Sequence, residues 1–214
     1  MNAEYIDHMG SDLTVVNAAR VSFDKESGEF GGSDARLIVF LAKHGHFTPF
    51  THAMVTLREE VPIFVARQRF KHTVGFSYNE VSRRYVSDAP QFYAPESWRL
   101  AADTVKQGSS PEALDDAGRT SKAVSDHNDN CLNLYQRMIG EGICAEQARM
   151  ILPQSMFTSY YVTGSLAAWA RAYQLRIEKT AQAEIQVLAR TWDAVIKPLF
   201  PVSWAALTEE HIAQ

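Results

Sequence analysis

The sequence is poor in cysteine and has no long apolar run. Only two of its 214 residues are cysteines, Cys131 and Cys144, and they form no CxxC pair. We therefore expect no disulfide, and we predict that both thiols pack against apolar neighbours. The longest apolar runs, such as residues 37–42, are too short to cross a bilayer, and residues 1–10 lack the features of a signal peptide. These absences predict a soluble, cytoplasmic protein without a membrane partner.

Several common functional motifs are also missing. The chain contains no GxGxxG, GxxxxGK[ST], HExxH or GxSxG, which excludes the usual signatures of dinucleotide folds, P-loops, zinc proteases and serine hydrolases. His44, His46 and His52 lie near one another, but no carboxylate or thiol cluster accompanies them, so we predict no metal. A formal net charge of −4 argues against binding to long nucleic acids.

The composition is that of a folded domain with a large core. Hydrophobic residues make up 46% of the chain and aromatic residues 11%, so we expect a single domain over residues 1–214. Residues 13–22 are ambiguous between helix and strand. The other predicted elements are helices over residues 34–44, 62–71, about 144–153 and 165–196, a helix that ends near residue 140, a strand over residues 52–60, and an extended or looped segment over residues 77–85.

One basic stretch stands out in this acidic chain. Residues 66–85 carry five cations and one carboxylate, a local net charge of +4. An extended backbone would project Glu80, Ser82 and Arg84 to the same side. Arg149 and Arg176 lie beside apolar helix faces, where a guanidinium needs a partner such as a bidentate anion. We therefore predict a site for a small phosphorylated ligand, the alternative being solvated arginines around a turn.

A set of short motifs covers most of the chain. The central one reads Ser77-Tyr-Asn-Glu80-x-Ser82-x-Arg84-Tyr85 and follows Val65-Ala-Arg-Gln68 and the pair Lys71-His72. The others are Ala18-Ala-Arg20-Val-Ser22-Phe, His44-Gly-His46-x-Thr48-Pro-Phe, Val61-Pro-Ile-Phe-Val-Ala-Arg67-Gln68, Ala148-Arg149-x-x-Leu152-Pro153, Leu175-Arg176 and Ala183-Glu184-Ile185. Together they resemble the flavin-dependent thymidylate synthases (ThyX).

The resemblance implies a fold, a reaction and an assembly. The expected fold is α+β (mixed α/β), a single-domain subunit with a central antiparallel or mixed sheet flanked by long helices. Such enzymes are usually homotetramers whose active sites are shared between subunits. The implied substrates are dUMP and methylenetetrahydrofolate, and the implied reductive cofactors are FAD and NADPH.

The resemblance also implies roles for particular residues. Arg176, Ser82 and His72 are the candidate catalytic residues. Nothing in the sequence activates the Ser82 hydroxyl, so we favour a binding role for it. The candidate substrate-binding residues are Gln68, Lys71, Glu80, Ser82, Arg83, Arg84, Arg149 and Arg176. The candidate cofactor-binding residues are Ser22, His46, Thr48, His72 and Thr73.

The chain departs from the family pattern on the side expected to contact flavin. One residue is inserted near Gly75-Phe76. Thr73 and Ala167 stand where arginines are expected, and Lys71 also replaces an arginine. The remaining departures are Thr51 for Glu, Ser165 for Asn and Thr180 for His. Losing charge-assisted contacts worth roughly 1.5–3 kcal/mol each would weaken FAD binding considerably.

These departures leave three functions open. The first is the family reaction, conversion of dUMP to dTMP. The second is flavin-independent hydroxymethylation of dUMP or dCMP, in which water adds to the transferred carbon, for example in a phage-encoded enzyme acting in the host cytoplasm. The third is an inactive dUMP-binding subunit. A role for Cys144 as a nucleophile towards pyrimidine C6 is disfavoured, because the matching family position carries no thiol.

Overall fold

The computed structural model describes residues 1–86, 88–102 and 108–209. Within these residues, four strands form one antiparallel sheet in the order β1-β2-β4-β3. The strands are β1 (Asn2–Met9), β2 (Met54–Pro62), β3 (Phe76–Glu80) and β4 (Phe157–Ser165).

Helices pack around this sheet. In the described ranges they are α1 (Asp12–Arg20), α2 (Gly32–Lys43), α3 (Ile63–Arg69), α4 (Gly118–Gly140), α5 (Ala145–Ala148), α6 (Leu166–Ile177), α7 (Ala183–Leu199) and α8 (Pro201–Thr208). Short 3-10 turns cover Val21–Phe23, Thr48–Thr51 and Arg149–Ile151. No helix in the described part of the chain is long and apolar enough to cross a membrane.

The core lies between the sheet and the pair α6 and α7. Alternate residues of β2 and β4 are fully buried, among them Val55, Leu57 and Val162. The rings of Trp169 on α6 and Trp192 on α7 meet edge to face at 5.5 Å, and both are fully buried. Burying each large apolar side chain contributes roughly 1.5–3 kcal/mol, so this layer holds the strands and the helix pair together.

β2 and β4 each run directly into a helix. α3 begins at Ile63, immediately after β2, and α6 begins at Leu166, immediately after β4. Because β2 and β4 are antiparallel, α3 and α6 begin at opposite ends of this strand pair. Their C-terminal ends meet, since Arg176 near the end of α6 donates to the Gln68 carbonyl near the end of α3, and several candidate site residues lie there.

The predicted mixed α/β fold is confirmed, and most predicted elements are present. α2, α3 and β2 match their predicted segments within two residues, and the ambiguous residues 13–22 fall mostly in α1. The predicted helix near residues 144–153 is present as short α5 followed by a 3-10 turn. β1 and β4 were not predicted, because their mixed polar and aromatic sequences lack a clear alternation.

Two structural predictions are wrong. The single helix predicted over residues 165–196 is split into α6 and α7, because Glu178 and Gln182 adopt extended backbone conformations. The apolar pattern continues across the break because both helices pack on the same core. Cys144 is exposed at the start of α5, so it is not a packing residue; Cys131 is partly buried, and both thiols are free.

Candidate active site

Arg176, His72 and Gln68 form a hydrogen-bonded cluster where α3 and α6 end. Arg176 Nε donates to His72 Nε2 at 2.8 Å, and Arg176 Nη2 donates to the backbone carbonyl of Gln68 at 3.2 Å. His72 is buried, with 6% of its surface exposed. Burial, followed by the charges of Arg176 and Arg69, lowers the pKa of His72 to about 4. His72 is therefore neutral near pH 7, and since Nε2 accepts a hydrogen bond, Nδ1 carries the proton.

A buried ion pair anchors the turn that carries His72. Arg69 and Glu59 are fully buried, and Arg69 Nε lies 3.2 Å from both carboxylate oxygens. Arg69 Nη1 donates to Tyr78 Oη at 2.6 Å, and Tyr78 Oη donates to the His72 carbonyl at 2.7 Å. The position of His72 is therefore coupled to the core through Arg69 and Tyr78.

Aromatic rings complete the surroundings of Arg69. Its guanidinium carbon lies 4.4 Å from the ring centre of Phe76, 4.7 Å from that of Trp169 and 4.8 Å from that of Trp192. Arg69 Nη2 is buried and has no hydrogen-bond partner among the described residues. The aromatic faces provide cation–π attraction instead, so Arg69 is satisfied by protein contacts and is unavailable to a ligand.

A second group of candidate residues lines a cavity about 410 Å³ in volume, which we call the basic cavity after its two arginines, although two glutamates balance their charge. Its wall includes Glu80, Arg83, Arg149, Glu146 and Thr158. Thr158 Oγ1 donates to Glu80 Oε1 at 2.6 Å, which holds one carboxylate oxygen in place. The remaining carboxylate oxygen and the two guanidinium groups suit a sugar hydroxyl and a phosphate, respectively.

Arg84 lies beside the basic cavity, but a turn of the chain places it there and not an extended strand. β3 ends at Glu80, and the chain then turns, with the Tyr85 amide donating to the Ser82 carbonyl at 3.0 Å. Of the two predicted alternatives for residues 77–85, the looped one holds after Glu80, so strand alternation does not project Glu80, Ser82 and Arg84 to the same side. Arg84 instead pairs with Glu146 at 2.6 Å, and Glu146 lines the basic cavity.

The remaining candidates of the motif have few contacts. Ser82 Oγ accepts from the Arg84 amide at 3.3 Å, and within the described residues no histidine or carboxylate bonds to it. This geometry offers no base to activate the Ser82 hydroxyl. Lys71 and Thr73 are exposed, and neither lines the cavities described in this section.

Three predicted cofactor residues come together in what we call the N-terminal cleft, about 720 Å³ in volume. Ser22, His46 and Thr48 all line it, together with Arg20 and Lys25. Ser22 and Thr48 lie in the 3-10 turns that follow α1 and α2, and His46 lies in the loop between α2 and the second turn. Arg20 is paired with Asp34 at 2.5 Å, so the cleft offers the cation of Lys25, hydroxyl groups and the imidazoles of His46 and His52 to a ligand.

The departures from the family pattern also converge. Thr51, Ser165 and Ala167 line what we call the small-residue cavity, about 540 Å³ in volume, together with the inserted region at Gly75. Gly75 has φ +78°, and an added Cβ would lie 2.8 Å from the Ala168 side chain, so only glycine fits there without rearrangement. Thr180 is exposed and does not line this cavity.

Two cations remain at the small-residue cavity. Lys43 and Arg171 line it, and Arg171 Nη2 donates to the Val74 carbonyl at 3.2 Å. Arg171 lies one helical turn beyond Ala167 on α6, so the two positions share a face. The cavity therefore keeps a guanidinium close to the position where an arginine was expected.

Within one subunit the candidate residues thus form three separate groups. Arg149 and Arg84 adjoin the basic cavity, Arg176 lies in the cluster with His72 and Gln68, and three of the five cofactor candidates, Ser22, His46 and Thr48, lie in the N-terminal cleft. Sequence reasoning missed Tyr78, Glu146 and Arg171, which orient these groups. Of these three residues, only Arg171 could have been found from the sequence, because it lies one helical turn beyond Ala167.

The mixed α/β fold with one antiparallel sheet is that of a ThyX-like subunit. The family model described as "thymidylate synthase complementing protein" matches residues 4–202. The chain belongs to this family, which confirms the resemblance inferred from its motifs.

Relatives and solved structures agree with this assignment. The flavin-dependent thymidylate synthase of Thermus thermophilus is 35% identical over 209 residues, 98% of this chain and 76% of the relative. The enzyme of the same description from Wolbachia pipientis is 37% identical over 210 residues, 95% of this chain and 72% of the relative. The crystal structure of a UMP/dUMP methylase, PolB from Streptomyces cacaoi, bound with 5-Br dUMP, superposes with a TM-score of 0.84 at 31% identity, covering 96% of this chain and 93% of PolB.

Proposed function

We propose that this protein is a one-carbon transferase that modifies C5 of a uracil nucleotide, converting dUMP to dTMP with methylenetetrahydrofolate as donor. The observation that carries this proposal is the fixed guanidinium of Arg176, held by neutral His72 and the Gln68 carbonyl. The relatives described as thymidylate synthases and the UMP/dUMP methylase PolB support the same chemistry.

The basic cavity is the proposed phosphate and sugar site. Arg149, Arg83 and Arg84 bind the phosphate, and backbone amides near Ser82 can donate to it. Glu80, held by Thr158, accepts from the sugar hydroxyl. Each charge-assisted contact contributes roughly 1.5–3 kcal/mol, so two or three of them contribute roughly 3–9 kcal/mol, which corresponds to millimolar to micromolar binding.

The Arg176 cluster is the proposed pyrimidine site. Arg176 stabilises negative charge on the uracil ring, which makes C5 nucleophilic before it attacks the donor carbon. The new bond joins C5 to the donor carbon while one of that carbon's two bonds to folate nitrogens breaks. The C5 proton then leaves, the second folate nitrogen departs and takes up a proton, and the transferred carbon must accept a hydride to become a methyl group.

The residues of two cavities fit a flavin dinucleotide. The N-terminal cleft and the small-residue cavity provide room, and Lys25, Lys43 and Arg171 provide cations for a diphosphate. When bound, FAD supplies the hydride, which NADPH replenishes. Ser22, His46, Thr48, His72 and Thr73 remain the proposed cofactor contacts.

The small-residue cavity also favours a second candidate function. Thr51, Ser165 and Ala167 meet in this one cavity, so the expected flavin contacts are altered together. In a flavin-independent hydroxymethylase, water adds to the exocyclic methylene instead of hydride, and the carbon stays at the formaldehyde oxidation level. An inactive dUMP-binding subunit is the remaining candidate.

Mass spectrometry of the nucleotide product separates the three candidates. The purified protein is incubated with dUMP and methylenetetrahydrofolate, with and without FAD and NADPH, and Arg176→Lys serves as the inactive control. A methylated product that requires FAD supports the first candidate. A hydroxymethylated product without FAD supports the second, and binding without turnover supports the third.

We further propose a homotetramer with shared active sites, in which residues 1–214 act as one unit in the cytoplasm. The separation of the three residue groups within one subunit supports this.

Subunit complementation tests the shared site. Arg149→Ala and His46→Ala subunits are unfolded together in denaturant and refolded as mixed oligomers. If Arg149 and His46 reach one site from different subunits, some mixed sites regain both residues and activity returns. Absence of recovery in mixed oligomers, with each parent folded, would show that each subunit completes its own site.

A further inference from the structure

Tyr78 on β3 joins the buried ion pair to the turn that carries His72. Its hydroxyl oxygen accepts from Arg69 Nη1 at 2.6 Å, and the hydroxyl donates to the His72 carbonyl at 2.7 Å. The direction of both bonds is fixed, because a guanidinium has no acceptor and a carbonyl has no donor. Burial raises the pKa of Tyr78 to about 12, so the hydroxyl keeps the proton that this arrangement needs.

The core holds the Tyr78 hydroxyl in place from the Arg69 side. Arg69 and Glu59 are both fully buried, and Glu59 Oε2 also accepts from the hydroxyl of Tyr160. The ring of Tyr78 packs edge to face against Phe70, with ring centres 5.1 Å apart, and against Tyr160, with ring centres 6.1 Å apart. Since a close-packed interior yields little, the Tyr78 hydroxyl is a fixed point beneath His72.

Both acceptors that hold Arg176 lie on the segment that Tyr78 supports. Arg176 donates to His72 Nε2 and to the Gln68 carbonyl, and backbone hydrogen bonds close residues 68–72 into one tight turn. A shift of the His72 carbonyl therefore moves both acceptors together. Among the described residues no hydrogen bond joins Tyr78 to Arg176 directly, so Tyr78 acts on the guanidinium through this turn.

We propose that Tyr78 is a positioning residue: through this turn, its hydroxyl fixes the plane of the Arg176 guanidinium. This inference rests on the proposed function, in which Arg176 stabilises negative charge on the pyrimidine. Such stabilisation depends on donors that are oriented before the reaction begins. Removing the Tyr78 hydroxyl should therefore slow the chemical step. The affinity for dUMP should change little, because the proposed phosphate and sugar contacts lie in the basic cavity.

The test is tritium release from C5-labelled dUMP by the full-length protein, at saturating dUMP and methylenetetrahydrofolate with FAD and NADPH present. The C5 hydrogen leaves whether the product is methyl or hydroxymethyl. Tyr78→Phe removes only the hydroxyl, and we expect kcat to fall at least about tenfold, because a small misplacement of a catalytic group can cost about 100-fold. The Kd for dUMP, measured by calorimetry, should change less than about threefold.

Tyr160→Phe is the matched control, because its hydroxyl contacts the same ion pair but not the turn that carries His72. Both variants should melt at a lower temperature, and only Tyr78→Phe should lose turnover. If Tyr78→Phe fails to fold, Arg69→Met/Glu59→Gln removes the anchor of the hydroxyl and should lower kcat likewise. Wild-type kcat in the folded variant, or an equal loss in Tyr160→Phe, overturns the inference alone. If the wild type releases no tritium, the proposed function fails and the inference falls with it.

Discussion

The two ion pairs Arg69–Glu59 and Arg84–Glu146 differ in almost every physical respect. The first is fully buried, with both side chains at 0% exposure, and is surrounded by aromatic rings. The second lies at the surface, with side-chain exposures of 45% and 56%. Arg69 and Arg84 belong to the same basic stretch of sequence, yet one is committed to the core and the other is available to a ligand.

The difference shows why local charge is a poor guide to a binding site. A buried pair has lost its hydration, so removing one partner leaves an uncompensated charge. An exposed pair contributes about 0–1 kcal/mol and is screened by salt. A phosphate can therefore replace Glu146 as the partner of Arg84 at little cost, whereas Arg69 cannot leave Glu59.

The largest expected effect is on stability. Arg69→Met should lower the free energy of unfolding by roughly 3–5 kcal/mol, because it leaves the Glu59 carboxylate buried without a cation. Urea titration followed by circular dichroism measures the loss. The double variant Arg69→Met/Glu59→Gln removes the stranded charge and should recover part of it. A single variant as stable as the wild type would show that the buried pair is dispensable.

The next largest effect is a pH dependence of the free energy of unfolding, which comes from buried His72. Its pKa is about 4 in the folded protein against 6.5 ordinarily, so the unfolded chain binds more protons between these values. The free energy of unfolding should therefore fall as pH drops from about 6.5 towards 4, by up to about 3 kcal/mol. Denaturant titrations at several pH values measure this slope.

The variant His72→Gln tests whether His72 causes this change of the unfolding free energy with pH. Glutamine can still accept from Arg176 but does not titrate, so the stability of the variant should depend less on pH in this window. A slope identical to that of the wild type would assign the dependence to other groups.

The exposed cations should affect binding and leave stability unchanged. Arg149→Ala should weaken dUMP binding about 10- to 100-fold, because one charge-assisted phosphate contact is worth roughly 1.5–3 kcal/mol. Calorimetry measures the affinity, and thermal melting should show an unchanged midpoint. Arg137→Ala, on the exposed face of α4, is the control and should bind dUMP normally. Unchanged affinity in Arg149→Ala would remove this residue from the phosphate site.

An increase in FAD affinity is expected when a guanidinium is restored at the small-residue cavity. Ala167→Arg restores a guanidinium at the small-residue cavity, next to Arg171, and should tighten FAD binding about tenfold. Quenching of flavin fluorescence measures this without any turnover. Val187→Arg adds the same charge on an exposed part of α7 and should have no effect. Equal FAD affinity in Ala167→Arg would show that flavin does not reach this cavity.

The smallest effect is expected at the surface pair. Glu146→Gln should change the free energy of unfolding by less than about 1 kcal/mol, because the pair is exposed. Since Glu146 competes with phosphate for Arg84, dUMP affinity should stay the same or rise slightly. A large loss of dUMP affinity would show that Glu146 supports the site rather than competing with the ligand.

Much of the fold could be predicted because it depends on local patterns. The 3.6-residue periodicity identified α2, and the alternation of Val55 and Leu57 identified β2. The break between α6 and α7 could not be predicted, because the apolar pattern continues through residues 178–182. Likewise, the turn after Glu80 interrupts a segment whose alternation suggested an extended chain.

The sequence by itself determined the family, the mixed α/β class and the set of candidate residues, because motifs and periodicities are local properties of the chain. Only the tertiary structure decided which arginines are buried, which departures from the family share a cavity, and what holds the Arg176 guanidinium in place. These properties depend on desolvation and on hydrogen-bond partners distant in sequence, such as Glu59 for Arg69 and His72 for Arg176.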